Sequence, residues 1–566
     1  MATQAPQFTA WLDNFFASYY RHRPVNATFI GRHEYDDRLP DFSEQGVSDV
    51  VTDMRALLAR MAALPPEPLT PAERLDRTLA IGFLETQLWE YGARHFQAGN
   101  PSTYTGEAIF GVIALFLRPF APLSLRLPPA IARLHAVPRL LAQGEANIRE
   151  APPAWTARAI QECQGALAFL DGGVDILIAE HGMHTPELRE AANSAAAAFR
   201  AFQAYLERDL SQDAPARYAA GEEALDLMVR KGHFLSQTLT QIEAFARDQM
   251  AEARAFLAVH AADFGAATWQ TALAALADLH PSADRYYARY GEVWQACRSA
   301  AHARRLVTWP DYPLRYSPQP RWARQAAPFL YFLFYRAPAA FDSLPVVDCL
   351  VTPIEADMPP AQQERLLRAT NDSVIKLNHV VHHGSIGHQV QNWHAYRAAS
   401  RIGQVAAVDC ASRIAMFSGG TMAEGWATYA TDLMDEIGFL TPLESFSQHQ
   451  SRLRQAARAV VDVNLHRGVF TLEQAATFYR EQAGMSAEAA QGEAVKNSMF
   501  PGAALMYLMG NQTIHDLRRE LAGSDLCAFH DEFLAYGSVP VALIGKMMRE
   551  ERAAKTSGRP PQGEDA

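Results

Sequence analysis

Residues Leu306–Pro320 read LVTWPDYPLRYSPQP, and this stretch divides the chain. Four prolines in fifteen residues cannot form a regular helix, and each lacks the N–H that a central β-ladder needs. On the N-terminal side, Thr70–Glu90, Ala159–Ala179, Thr185–Leu210 and Gly221–Val259 carry apolar residues at three- and four-residue spacing. They are rich in Ala and Leu, so they are predicted to be helices. Thr70 before Pro71, and Thr185 before Pro186 and Glu187, supply helix-start signals. On the C-terminal side, APFLYFLFY (327–335) and SLPVVDCLVTPIE (343–355) are the strand candidates, being aromatic or β-branched and bounded by Pro. Helix is expected again over Pro360–Val381 and, for the most part, on to Glu551. The fold expected is mainly α, a large bilobed helical protein with a small central β-sheet. Residues 1–305 would form a helical lobe, 306–555 a lobe holding the sheet and the candidate site, and 556–566 a flexible tail, with the lobes packed as one unit.

Composition narrows the function. The 566 residues include 51 Lys plus Arg against 62 Asp plus Glu, a net charge of −11. No dense basic stripe interrupts this balance, which argues against a nucleic-acid partner. The longest apolar run, Ala108–Leu123, is broken by Arg118 and Pro119, so no membrane span is expected. The opening MATQAPQ lacks the pattern of a secretory signal. Five scattered cysteines, with no CxxC pair, fit reduced thiols in the cytoplasm. Neither a dinucleotide-binding fingerprint nor a Walker A segment is present. Oligomeric state stays open, because periodicity does not separate core faces from interface faces.

Five of the nineteen histidines fall in LNHVVHHGSIGHQVQNWHAY (Leu377–Tyr396): His379, His382, His383, His388 and His394. Imidazoles in such density suit a borderline divalent metal. On an ideal helix, His379 and His383 would be the cleanest ligand pair, since residues four apart share a face. His382 and His388 lie about 120° out of phase on such a helix, so they converge only if the backbone departs from it. Gly384, Ser385 and Gly387 provide the place for that departure.

Three segments resemble the DUF885 family, large helical bacterial proteins similar to zinc metallopeptidases of the gluzincin type. The first is His382-His383-Gly384-Ser385-Ile386-Gly387-His388 with Gln391, where the family pattern is His-Glu-x-x-Pro-Gly-His with a following Gln. The second is Glu424-Gly425-Trp426-Ala427-Thr428-Tyr429-Ala430, and the third is Pro501-Gly502-Ala503-Ala504-Leu505-Met506-Tyr507-Leu508-Met509-Gly510. Gly31–Ser43 and the pair Asp462/His466 are further echoes. The resemblance implies a gluzincin-like architecture and a divalent metal, zinc first with iron or manganese as alternatives, held by His382, His388 and Glu424. It also implies a general base after the first histidine. Here that position is His383 rather than Glu, and Ile386 replaces the Pro. An imidazole accepts a proton near neutral pH, but it also ligates metals.

Thr421 is expected to cap the helix that carries Glu424, with Glu424 in the capping-box position. Asp462 and His466 are four apart on a predicted helix, where His466 could steady an oxyanion and Asp462 orient it. Tyr507 is a second oxyanion candidate, with Tyr429 and Arg518 behind it. Glu493 is a carboxylate to support the ligands or to replace the missing base. TWPDYPLRY and the strands after it would form a peptide-pairing edge beside the metal, as the resemblance implies. The expected function is a metal-dependent hydrolase of amide or peptide bonds in small substrates. A non-hydrolytic metalloenzyme (a lyase or an iron-dependent enzyme) and an inert binding protein are the alternatives.

Overall fold

The computed structural model describes residues 6–65, 68–182, 185–210, 217–311, 314–330, 339–342, 347–405 and 420–557. The chain is mainly α-helical, and its described strands form one two-stranded parallel sheet. In that sheet β1 (Leu314–Pro318) pairs with β2 (Val347–Val351), with Leu314 opposite Val347 and Pro318 opposite Val351.

β2 falls within the second strand candidate, but β1 lies inside the proline-rich divider itself. A two-stranded sheet has no central strand, so Pro318 costs no ladder bond on its free edge. The run 327–335 is a turn over its described part, and the remainder lies outside the described residues. Tyr312 and Pro313 also lie outside them, as does Cys410.

Most helix starts follow from side-chain chemistry. Thr70 with Glu73, Thr238 with Gln241, Thr441 with Glu444 and Thr471 with Gln474 each close a capping box. Thr185 does precede its helix, yet its hydroxyl makes no capping bond. The helix expected over Gly221–Val259 is interrupted. A short helix and a π-turn end at Gly232, Phe234 adopts a positive φ of 56°, and a new helix starts at Leu239. His233 is fixed in this break by donating from Nε2 to the Gly502 carbonyl at 2.7 Å.

Three apolar cores hold the helices together, and each draws residues from both sides of position 305. The first joins Phe8, Trp11 and Phe83 to Trp426, Phe533 and Met548. The second joins Tyr104, Leu134 and Phe199 to Trp322. The third packs Leu239–His260 along Pro442–His466 and takes in Leu505 and Leu508. The histidine-bearing segment belongs to the first core through Val380, Val381, Ile386 and Val390, whereas the long helix Pro442–His466 belongs to the third.

Candidate metal centre

The histidine segment is not an ideal α-helix. Val374–Gly384 is π-helical, and a second helix begins at His388. The i→i+5 hydrogen bonding of a π-helix widens each turn, so residues four apart no longer superpose. His379 is thereby turned away from the other histidines: Tyr290 Oη lies 3.0 Å from its Nδ1, and the two rings stack. The i,i+4 pair His379/His383 expected from α-helical geometry is therefore not formed. His394 is also separate, with Nε2 3.1 Å from the Thr308 carbonyl.

His382, His383 and His388 converge instead, with one ligand nitrogen from each lying within 4.8 Å of the others. The chain reverses between them through Gly384 and Gly387. A β-carbon on Gly384 would overlap the Tyr316 hydroxyl, and one on Gly387 would overlap the His382 carbonyl oxygen. Both glycines are required by close approach. The reversal is pinned by Gly387 N–H donating to Val381 O (2.9 Å), Trp294 Nε1 to Gly384 O (2.7 Å) and Tyr316 Oη to His379 O (3.1 Å). Through Tyr316, β1 lies against the histidine segment.

Glu424 closes the fourth side, with its Oε2 3.3 Å from His382 Nε2. It belongs to the helix Gly420–Glu436 and is the one residue from Gly420 to Met434 that is not buried. Thr421 does not cap this helix, which already includes Gly420. Its hydroxyl accepts from Val541 N–H at 3.3 Å, and no capping box with Glu424 forms, because the carboxylate faces His382. The neighbours of Glu424 explain the rest of its motif. Trp426 Nε1 donates to Ile386 O at 2.9 Å, tying the helix to the histidine turn. Gly425 meets Gly510 of the helix Met506–Leu521 so closely that a β-carbon on Gly425 would sit 2.6 Å from Gly510 Cα. Tyr429 Oη lies 2.8 Å from His530 Nε2.

The electrostatics favour ligand-ready groups. Burial pushes the Glu424 carboxyl up, but the hydrogen bond from His382 and the nearby imidazoles outweigh it and hold it well below the usual carboxylate range. Burial lowers His388 to about 4, against the attraction of Glu424. Burial, with repulsion from His382 and His388, also holds His383 well below 6.5. His383 Nδ1 lies 2.8 Å from the Asn378 carbonyl, which fixes the proton on Nδ1 and leaves Nε2 with its lone pair. Neutral imidazoles and an ionised carboxylate are the states in which these side chains bind a divalent cation. His382, His383, His388 and Glu424 are thus donors of the kind that could hold a divalent cation such as zinc.

The other candidates each have partners of their own. Asp462 is fully buried and accepts the N–H groups of Gly502, Ala504 and Leu505, each at 3.0 Å, so it fixes the turn before the helix Met506–Leu521. His466 donates from Nε2 to Asn497 O at 3.0 Å, and its Nδ1 accepts from Ala220 N–H at 3.4 Å. With both ring nitrogens engaged, it is a structural tie rather than an oxyanion donor. Glu493 is bound by Arg458 through two 2.8 Å hydrogen bonds. It also lines a cavity of about 810 Å³ walled by Ser102–Leu117, Pro153–Leu167 and Ala487–Met499. Tyr507 is half-buried beneath the Arg458 guanidinium, which sits 4.6 Å from its ring centroid. Arg518 is paired with Glu436, away from the histidines.

Sequence reasoning missed Arg454 and Arg458. Both lie on Pro442–His466, where Ser451, Arg454, Gln455 and Arg458 form an i, i+3, i+4, i+7 stripe of accessible polar residues. That stripe sits within an Ala/Val-rich segment and was readable as a polar face.

The family model described as a bacterial protein of unknown function (DUF885) matches residues 24–548. No curated protein matches the chain. A solved structure of a candidate lipoprotein of unknown function from Shewanella oneidensis is similar, with a TM-score of 0.76 at 22% identity over 97% of this chain and 100% of that one. A candidate lipoprotein from Colwellia psychrerythraea gives a TM-score of 0.75 at 16% identity, over 96% and 98% of the two chains. At such identities the likeness is one of fold. Among the described residues, no helix is long and apolar enough to cross a membrane. Matched from Pro24 to Met548, the chain belongs to the DUF885 family.

Proposed function

We propose that the chain is a divalent-metal-dependent hydrolase of amide or peptide bonds in small substrates. The observation that carries this reading is the convergence of His382, His383 and His388 within 4.8 Å, with Glu424 beside His382. His382, His388 and Glu424 would hold the ion, with zinc the best match to two imidazoles and a carboxylate. When bound, it would supply Lewis acidity, polarising a carbonyl and lowering the pKa of water.

The chain's own residues have distinct tasks in this reading. His383, its proton held on Nδ1 by Asn378, presents Nε2 to take a proton from the attacking water. Tyr507 is the better oxyanion donor of the two first considered, because His466 has both nitrogens engaged. Glu493 holds Arg458 in place rather than acting as a base. Tyr316 brings β1 alongside the histidine turn, which supports an extended peptide lying along that edge. A reducing, cytoplasmic compartment is supported by the free thiols Cys163, Cys297, Cys349 and Cys527.

One observation favours a second reading. The donor nitrogen of His383 lies in the same cluster as the two ligand histidines, so it could complete a set of three histidines and one carboxylate. Such a set would favour a non-hydrolytic metalloenzyme, with iron or manganese in place of zinc, or an inert binding protein. Substitution at His383 separates the readings. If His383 is the base, His383→Ala retains the metal and loses amide hydrolysis by about 100-fold or more. If His383→Ala releases the metal, His383 is a ligand and the general-base assignment is wrong.

A further inference from the structure

The arginine stripe has one unmatched member. Arg458 is fully engaged, with two hydrogen bonds to Glu493 and its guanidinium over the Tyr507 ring. Arg454, one helical turn earlier, feels the same Glu493 carboxylate but makes no ion pair with it, and its Nε is buried without a hydrogen-bond partner. Burial and the charge of Arg458 lower Arg454 to about 10, against the attraction of Glu493. A buried guanidinium nitrogen left without an acceptor is costly, so an acceptor supplied by a ligand would be favoured there.

Helix register places this stripe beside the candidate metal centre. Arg452 pairs with Asp432 at 2.8 Å, and Gln455 donates to Thr428 at 3.4 Å. Pro442–His466 thus runs antiparallel to Gly420–Glu436, and its next turn, at Arg458, comes level with Glu424. The third wall is Met506–Leu521. Its Gly510 packs on Gly425, and Tyr507 lies one turn before that contact. His382, Glu424, Arg458 and Glu493 each keep between 14% and 19% of their side chains accessible.

We propose that Arg454, held beside Arg458, anchors a carboxylate of the substrate, so that the site takes amides or peptides with a free carboxylate near the bond to be cleaved. This deepens the hydrolase reading and rests on it for the reaction, though not for the binding. A guanidinium fork matches a carboxylate with two parallel hydrogen bonds, and one free Arg beside a neutralised Arg–Glu pair leaves one positive charge for it.

The test is calorimetric titration of the full chain as purified with N-acetylglycine, N-acetylglycinamide and inorganic phosphate, with metal content measured on the same sample. N-acetylglycine is expected to bind at least about tenfold more tightly than the neutral amide, as a charge-assisted pair requires. Arg454→Gln should abolish that preference, and Arg454→Lys should restore it in part, since Lys keeps the charge without the fork. Arg454→Gln should also melt no lower than the parent, because it removes a charge that has no ion-pair partner of its own. Acid preference lost in Arg454→Gln in a metal-free sample would sustain this proposal while sinking the hydrolase reading. Equal affinity for acid and amide, binding of phosphate in place of the acid, or an acid preference that persists in both variants would overturn it.

Discussion

Trp426 Nε1 donates a 2.9 Å hydrogen bond to the carbonyl of Ile386, the residue two before His388. Both residues are fully buried, so this bond couples the helix bearing Glu424 to the turn bearing His388 without contribution from water. Trp426→Phe keeps most of the ring packing and leaves the Ile386 carbonyl without its donor. An unsatisfied buried acceptor costs about 1–3 kcal/mol, and lost support behind metal ligands typically costs about 10–100-fold in metal affinity. The expected outcome is a lower Tm together with weaker zinc retention in a chelator competition. A lower Tm with unchanged zinc retention would mean that the two helices position the ligands by other contacts.

Gly387 offers a sharper test of the turn. A β-carbon there would overlap the His382 carbonyl oxygen and sit 2.6 Å from that of Val381, both of them backbone atoms with little freedom to move. Gly387→Ala must therefore push His388 away from His382. Overpacking of this kind costs about 1–3 kcal/mol, occasionally more. Metal content should fall more than stability does. A variant that binds zinc normally would show that the turn has room the close contacts deny.

Asp462 separates a structural role from a catalytic one. Its Oδ1 accepts from Gly502, and its Oδ2 from both Ala504 and Leu505. Burial raises the carboxyl to about 7, against the pull of these three N–H groups. In Asp462→Asn, either orientation of the amide turns an N–H₂ group toward at least one backbone N–H. The expected cost is about 1–3 kcal/mol from unsatisfied donors, read as a drop in denaturant midpoint with metal content intact. Activity lost at unchanged stability would instead return Asp462 to the site.

These residues show what the sequence discloses and what it hides. Capping boxes such as Thr70–Glu73 depend on four neighbouring residues, so they are legible directly. The density of histidines is legible for the same reason. Which histidines meet is not, because the π-helix that turns His379 toward Tyr290 depends on contacts from Trp294 and Tyr316, far away in the chain. Thr421 and Glu424 have the spacing of a capping box, yet Val541 and His382 take their side chains. Asp462 and His466 share a helix face, as their spacing requires. What that face meets is set by the Gly502–Leu505 turn and by Asn497, which no local pattern reveals. β1 is not among the strand candidates because Pro318, with prolines on either side of the strand, is tolerated only at a sheet edge.

A second device lies at the far end of the chain. The His33 ring lies 2.8 Å from Asp36 through Nδ1 and 2.8 Å from Asp342 through Nε2, and it stacks on Phe120 at 3.6 Å. Burial pushes its pKa down, but hydrogen bonds to Asp342 and Asp36 outweigh this and raise it to about 9. A cationic imidazole between two carboxylates thus fastens residues 309 positions apart. Because the folded pKa is raised above the ordinary 6.5, the stabilisation is fully present below pH 6.5 and is lost as the pH rises through 9. A shift of this size corresponds to on the order of 3 kcal/mol at most, since His33 keeps partial access to water. In His33→Asn, Tm should therefore fall furthest below the parent near pH 6, and the two melting curves should converge as the pH approaches 9. A gap that stays constant from pH 6 to pH 9 would mean that His33 contributes through its stacking on Phe120 and not through its charge.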